Sequence, residues 1–139
     1  MFLLDTNVLS ELRKVAAGQG HPAVRRWAEG YPEEQSFLSV LTLHEAEVGT
    51  RRMERRDPLQ GTILRRWMDT VVLPRFGSRI LPVNQPVALV AAAFQVPSPA
   101  PFVDSLIAAT SVVHGLTVVT RNDRDFAFQG VRVLNPWLG

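Results

Sequence analysis

MFLLDTNVLSEL, residues 1–12, sets three apolar residues, Phe2, Leu3 and Leu4, directly against an acid, Asp5, and puts an amphipathic stretch behind it. A short unbroken apolar run reads as a strand buried on both faces. Val8, Leu9, Leu12 and Val15 then recur at helical spacing, so a helix is predicted from about Thr6 to Val15. A strand that passes straight into a helix is the first half of a parallel β-α-β unit. Asp5 stands at the junction with two readings open. It caps the helix, as Asp, Thr and Asn do, or it is a carboxylate held at a strand end for a charged ligand.

The alternation continues along the chain. A short helix follows Pro22 and carries Val24 and Trp27, with Gly30-Tyr31-Pro32 closing it. SFLSV, residues 36–40, is a second strand. Thr42 and Glu45 have the S/T-x-x-E spacing of a capping box, which predicts a helix start there. Pro58 opens a further helix, with Ile63, Leu64, Trp67, Met68 and Val71 as its expected apolar side. RILPV (79–83) is a short strand, Asn84 to Gln95 a helix of small apolar residues, and VPSPAP (96–101) a stiff loop. FVDSLIAATSVVHG (102–115) is an apolar helix ended by Gly115. Strands at 116–120 and 131–134 complete the pattern. The expected fold is α/β: a three-layer α/β/α sandwich around a mostly parallel sheet of four to five strands. One domain, residues 1–139, fits the length, and neither a repeat nor a linker interrupts it.

Composition narrows the chemistry. Of the 139 residues, 46% are hydrophobic and 20% charged, the balance of a globular chain. There is no cysteine, which removes disulfides, thiolate catalysis and Cys-ligated zinc. No apolar run is long enough to span a membrane. The N-terminus lacks the basic start and long apolar core of a signal peptide, so a cytoplasmic location is expected. Lys and Arg number 15 against 13 Asp and Glu, and Lys14 is the only lysine. An arginine-dominated basic complement suits phosphate or carboxylate recognition.

In an open parallel sheet, ligands bind beyond the carboxyl ends of the strands. Acids follow that rule here: Asp5 after the first strand, Glu45 after the second, Asp104 at the start of the helix behind the proline loop, and Asp123 and Asp125 after LTVVT. Singly, each has a plain structural role as a cap, a capping-box partner, a dipole-favoured residue or a solvated turn. As a converging set they repel. Two unit charges 4 Å apart cost roughly 4 kcal/mol at an effective dielectric of 20, so a cation or shifted pKa values must compensate. An Asp/Glu set without thiols or spaced histidines selects a hard ion, Mg²⁺ or Mn²⁺. Dinucleotide and P-loop glycine motifs are absent. His44-Glu45 begins like a zinc-protease HExxH, but Val48 occupies the second histidine position.

LLDTNVLSEL, the strand followed by TLHEAEVG, then DSLIAATSVVHGLTVVTRNDRDF and VRVLNPW together resemble a PIN-domain ribonuclease, specifically the VapC/FitB-like toxins of type II toxin–antitoxin pairs. The resemblance covers essentially the whole chain. It implies four acids that bind Mg²⁺ or Mn²⁺ and cut RNA: Asp5 in the DTN motif, Glu45 four residues ahead of Gly49, Asp104 opening the D-x-x-I-A-A-T helix, and Asp125 before Phe126. Asn122 stands where many relatives carry a further Asp, which makes it a weak or water-mediated ligand, and Asp123 falls on a variable position. Thr6, Asn7 and Thr120 are expected to support the acids by hydrogen bonding. The resemblance also implies a cognate antitoxin and a homodimer.

Arg51, Arg52, Arg55 and Arg56 read equally as a solvated helix face and as contacts to an RNA backbone. Arg121 and Arg124 beside the acids are similar candidates. Leu9, Leu12, Trp67 and Met68 are expected mostly in the core, with a groove for a partner helix as the other option. Two further functions remain: a non-catalytic partner-binding module in which the acids only cap helices, and a metal-dependent nuclease outside toxin biology.

Overall fold

The computed structural model describes residues 1–139. Five short strands, β1 (Phe2–Leu4), β2 (Ser36–Ser39), β3 (Ile80–Leu81), β4 (Thr117–Val119) and β5 (Val133–Leu134), form one sheet in the order β3-β2-β1-β4-β5. Every neighbouring pair is parallel, so the mostly parallel sheet expected from the sequence is wholly so. In register, Leu3 lies beside Phe37 on one side and Val118 on the other.

Seven α-helices flank the sheet: α1 (Thr6–Ala16), α2 (Pro22–Glu29), α3 (Val40–Arg56), α4 (Pro58–Trp67), α5 (Leu73–Phe76), α6 (Gln85–Ala93) and α7 (Phe102–His114). Alternating strand residues point to opposite layers. Phe2 and Leu4 of β1 and Val119 of β4 pack with Val8 and Leu9 of α1 and with Met68, Val72 and Phe76. Leu3 and Val118 face the other way, onto Ile107 and Ala108 of α7 and onto Phe126. Val87 and Ala91 of α6 then cover Leu106 and Ala109 of α7. This is the expected three-layer sandwich.

The chain leaves β1 in one direction, through β2 to β3, and returns on the other side of β1 for β4 and β5. The strand order therefore reverses between β1 and β4, and the connections leaving those two strands part there. Such a switch point opens a crevice in parallel α/β sheets, and Asp5 and Thr120 are the residues that follow the two strands.

Two local expectations are corrected. The capping box is not used. α3 begins at Val40, and Ser39 caps it by accepting from Leu41 N at 3.0 Å. Thr42 is buried one turn in, its hydroxyl directed at Leu4 O. Ser39 already supplied a cap, three residues ahead of the spacing that drew attention. The apolar side of α4 also differs. Met68 is fully buried as expected, but Ile63 is 48% exposed and Val72 is the fully buried valine in place of Val71. A π-helical turn over Met68–Val72 adds a residue to the register and rotates the buried stripe.

α3 and α4 meet at a tight corner. Asp57 ends α3 through its backbone N–H to Met53 O and starts α4 by accepting from Gln60 N. Gly61 lets the two helices touch, since a Cβ there would lie 2.4 Å from Glu54 Cα and 2.7 Å from its nitrogen. Across the seam Arg65 forms a two-pronged contact with Glu47 (2.8 and 3.0 Å) and bonds Glu54 at 3.0 Å. Arg51 Nε meets Glu47 from the other side at 2.6 Å. The hydrogen bonds from Arg65 hold the Glu47 carboxyl down at about 2, with Arg51 assisting.

Candidate active site

β1 ends at Asp5, whose backbone is still extended and whose N–H donates to Val119 O at 2.9 Å. Its carboxylate serves two purposes. Oδ1 accepts from Thr6 N at 2.8 Å and caps α1. Oδ2 accepts from the Thr120 hydroxyl at 2.8 Å and from the Asn7 amide at 3.3 Å. The capping reading is therefore true and incomplete, because only one oxygen is spent on the helix.

Thr120 and Asn7 are the frame around Asp5. Thr120 is fully buried, and its oxygen accepts from Asn122 N at 3.0 Å while its proton goes to Asp5. Asn7 Oδ1 accepts from Arg121 N at 3.1 Å. These bonds join the start of α1 to the loop after β4, across the switch point. Asn135 extends the frame by donating to Arg121 O at 3.1 Å. The sequence reading passed over Asn135, though its Asn-Pro-Trp context carries a usable signal: Oδ1 accepts from Trp137 N, a local Asx turn.

The other acids arrive on separate elements. Glu45 lies in the second turn of α3, where the Thr6 hydroxyl donates to Oε1 at 3.0 Å. Asp125 is exposed on a 3₁₀ turn, Asp123–Phe126, pinned by the buried Phe126 ring. Asp104 occupies the first turn of α7 and is partly buried. Burial pushes its carboxyl up to about 6, and the charges of Asp5, Asp125 and Glu45 add to the shift. Asp104 thus feels all three of the other candidate acids. Asp123 is not among the charges acting on it, and Glu47 is committed to the arginines of the α3–α4 seam.

Whether this set fits a divalent ion depends on its donors. They are carboxylate oxygens only, the chemistry that hard cations take, and no donor hydrogen bond lowers Asp104. Negative charge therefore gathers on a group with nothing to offset it. No three of the side chains stand close enough to ligate one ion as placed. The donor chemistry fits; the coordination shell is not preformed.

The arginines separate into two sets. Arg51 is tied to Glu47. At 1.5 Å rise per residue the Arg51–Arg56 run lies about 9 to 16 Å beyond Glu45 along α3. Arg121 sits at the site itself, its guanidinium 5.3 Å from the Trp137 ring centre.

On the α1 side of the sheet a second feature opens: an apolar groove of about 250 Å³ between α1, α2 and the α4–α5 segment, lined by Leu9, Leu12, Trp27, Tyr31, Trp67 and Phe76 among others. Met68 does not line it; its side chain is core. Trp27, one of the lining residues, has its indole N–H buried without an acceptor.

A parallel sandwich with acids gathered at its switch point defines a class, and the PIN domain family model matches residues 2–130. The chain belongs to the PIN domain family. It is 35% identical to Toxin FitB of Neisseria gonorrhoeae over 144 residues, covering 99% of both chains. It is 34% identical to VapC ribonuclease Y4jK of Sinorhizobium fredii, covering 99% of this chain and 98% of that one. The crystal structure of FitAcB from Neisseria gonorrhoeae superposes with a TM-score of 0.87 at 33% identity, over 99% of each chain.

Proposed function

We propose that this chain is a divalent-metal-dependent ribonuclease and the toxin of a type II toxin–antitoxin pair, with residues 1–139 acting as a single PIN unit. The observation that carries the reading is the state of Asp104, whose partly buried carboxyl is pushed up first by burial and then by the charges of three other acids. Asp5, Glu45, Asp104 and Asp125 would hold the Mg²⁺ or Mn²⁺. When bound, the ion offsets their charge, acidifies water and draws the phosphodiester to an edge that otherwise repels it.

The chain's own residues do the positioning. Thr120 and Asn7 fix the Asp5 carboxylate through Oδ2, and Oδ1, which accepts only from Thr6 N, keeps a lone pair for an ion. Thr6 does the same for Glu45. Arg121, steadied on Trp137, supplies a cation for a backbone phosphate. Asn122 has its backbone held by Thr120 and its amide free for water or phosphate. Arg52 and Arg55 reach only substrate that extends along α3.

The test is digestion of single-stranded RNA by the purified chain. Cleavage is expected with Mg²⁺ or Mn²⁺, none with EDTA, and none on a 2′-deoxy strand. Glu45→Gln keeps an oxygen for the Thr6 hydroxyl, and it should still lose most cleavage. Asp123→Asn should cut like wild type. Equal loss in the Asp123 and Glu45 variants would mean the acids are misassigned. Cleavage of the deoxy strand instead would place the enzyme among DNA nucleases.

The antitoxin has a matching surface in the groove beside Trp27. An amphipathic helix laid there would cover Leu12 and Trp67. Leu12→Glu should weaken antitoxin binding by tenfold or more and leave cleavage by the free toxin unchanged. Wild-type affinity in that variant would move the antitoxin elsewhere. A homodimer belongs to the same reading, and Leu89, Val96 and Phe102 are exposed apolar side chains available to it. No helix is long and apolar enough to cross a membrane. With RNA as substrate, we assign the chain to the cytoplasm.

A further inference from the structure

We infer that Gln95 is a positioning residue for Asp104. The inference rests on the ribonuclease reading for its activity readout, but its geometry stands apart from it. α7 starts without a side-chain cap, because Pro101 occupies the N-cap position and has nothing to offer the free N–H groups. Helix starts of this kind fray unless other groups tie them down. The tie comes from Gln95, just past the end of α6. Its Oε1 accepts from Ala100 N at 2.8 Å, and its Nε2 donates to Ser105 Oγ at 3.1 Å. Ser105, 1% exposed, passes the restraint on by donating to Phe102 O at 2.7 Å.

One amide thus grips the proline loop just ahead of α7 and, through Ser105, the first residue of that helix. Asp104 lies between Phe102 and Ser105 on the held turn. It has no hydrogen bond of its own to fix it, unlike Asp5 and Glu45. Its direction is set by the backbone turn it rides on, and Gln95 sets the turn. Burial makes the arrangement costly to break, because losing Gln95 strands the Ala100 N–H and one lone pair of Ser105.

The experiment compares Gln95→Ala, Ser105→Ala and the double variant with wild type. Three quantities are read: steady-state RNA cleavage, Mn²⁺ affinity by titration calorimetry, and backbone amide exchange along α7 from Ser105 onward. In Gln95→Ala, kcat should fall about tenfold with KM within twofold, and Mn²⁺ affinity should drop about tenfold, the scale for losing a group that orients a ligand. The Ser105 amide, which donates to Pro101 O at 3.0 Å, should exchange faster while those in the middle of α7 do not. The double variant should be no worse than Gln95→Ala within twofold, because both side chains act through one chain of bonds. Gln95→Glu, which can still accept from Ala100 N, should recover part of the loss. Unchanged exchange at the Ser105 amide or unchanged Mn²⁺ affinity in Gln95→Ala would overturn the inference. So would exchange that rises uniformly along α7. If wild type binds Mn²⁺ but cuts no RNA, the ribonuclease reading fails while affinity and exchange still decide the role of Gln95.

Discussion

Asp104→Asn is expected to melt higher than wild type in metal-free buffer at pH 7.5 and to lose RNA cleavage by about 10²-fold or more, the scale of removing one preorganised electrostatic contact. Both effects come from one charge. The Asp104 carboxyl is raised from 3.8 to about 6 in the folded chain. Between those values the folded state keeps a proton that the unfolded state has released. Stability therefore falls as pH rises through that window, and the full penalty is present above it. Two units correspond to roughly 3 kcal/mol. Solvent screening at this partly open site reduces that to about 1–2 kcal/mol. For a chain of this length the gain in Asn is roughly 3–6 °C in Tm. Asn cannot repel Asp5, Asp125 and Glu45, and it cannot hold a cation with them. Adding Mn²⁺ should raise the wild-type Tm and leave the variant nearly unmoved. A variant that melts lower and still cuts RNA would reduce Asp104 to a dipole-favoured helix residue. Glu47 works in the opposite sense. Its carboxyl is lowered to about 2, so its contribution is present above about 4.5 and is lost as pH falls toward 2. The metal-free protein should therefore be most stable at about pH 4, where the two windows overlap.

Gly61→Ala carries the largest expected loss of stability. In an ordinary exposed helix, Ala in place of Gly stabilises by about 1 kcal/mol. Here the new methyl would sit 2.4 Å from a backbone carbon of α3, which cannot swing aside as a side-chain tip does. The helices must separate, and the Arg65 bonds to Glu47 and Glu54 lengthen with them. Overpacking of this kind costs about 3 kcal/mol, which exceeds the propensity gain by about 2 kcal/mol and should lower Tm by roughly 4–8 °C. The sign is the test. A rise in Tm would show that α3 and α4 are not in backbone contact at Glu54.

Much of this was legible in the residues because apolar runs and helical spacing are local signals. Phe2–Leu4 passing into Val8 and Leu9 placed the first β-α unit, and the later alternation placed the others. Strand lengths were overestimated, most of all at RILPV, where only Ile80 and Leu81 pair. Sequence shows which residues favour extended backbone, not which find a partner. The capping box failed for a similar reason: Thr42 and Glu45 have the right spacing, but Ser39 caps first. The π turn at Met68–Val72 has no periodicity that announces it. At the site, strand-end position and resemblance pointed to Asp5, Glu45, Asp104 and Asp125, and the charges felt by Asp104 bring that group together. The Asn7–Thr120–Arg121 frame was legible only as polar residues near acids. Gln95 was not legible, because its partners Ala100 and Ser105 are defined by the path of the proline loop.

The bond between Asp5 and Thr120 joins residues 115 positions apart. A ribosome adding about 5–20 residues per second takes roughly 6–23 s to make that span. For this interval the nascent chain displays its first carboxylate without the hydroxyl that orients it, and β1 without its β4 neighbour. Each fragment that stalls or is released short of Thr120 carries the DTN motif in a form unable to assemble the crevice. The order of synthesis is thus a safeguard for the cell that makes the chain: harm requires nearly the whole message to be translated. That delay gives a partner protein time to be present before the groove and the acids are complete.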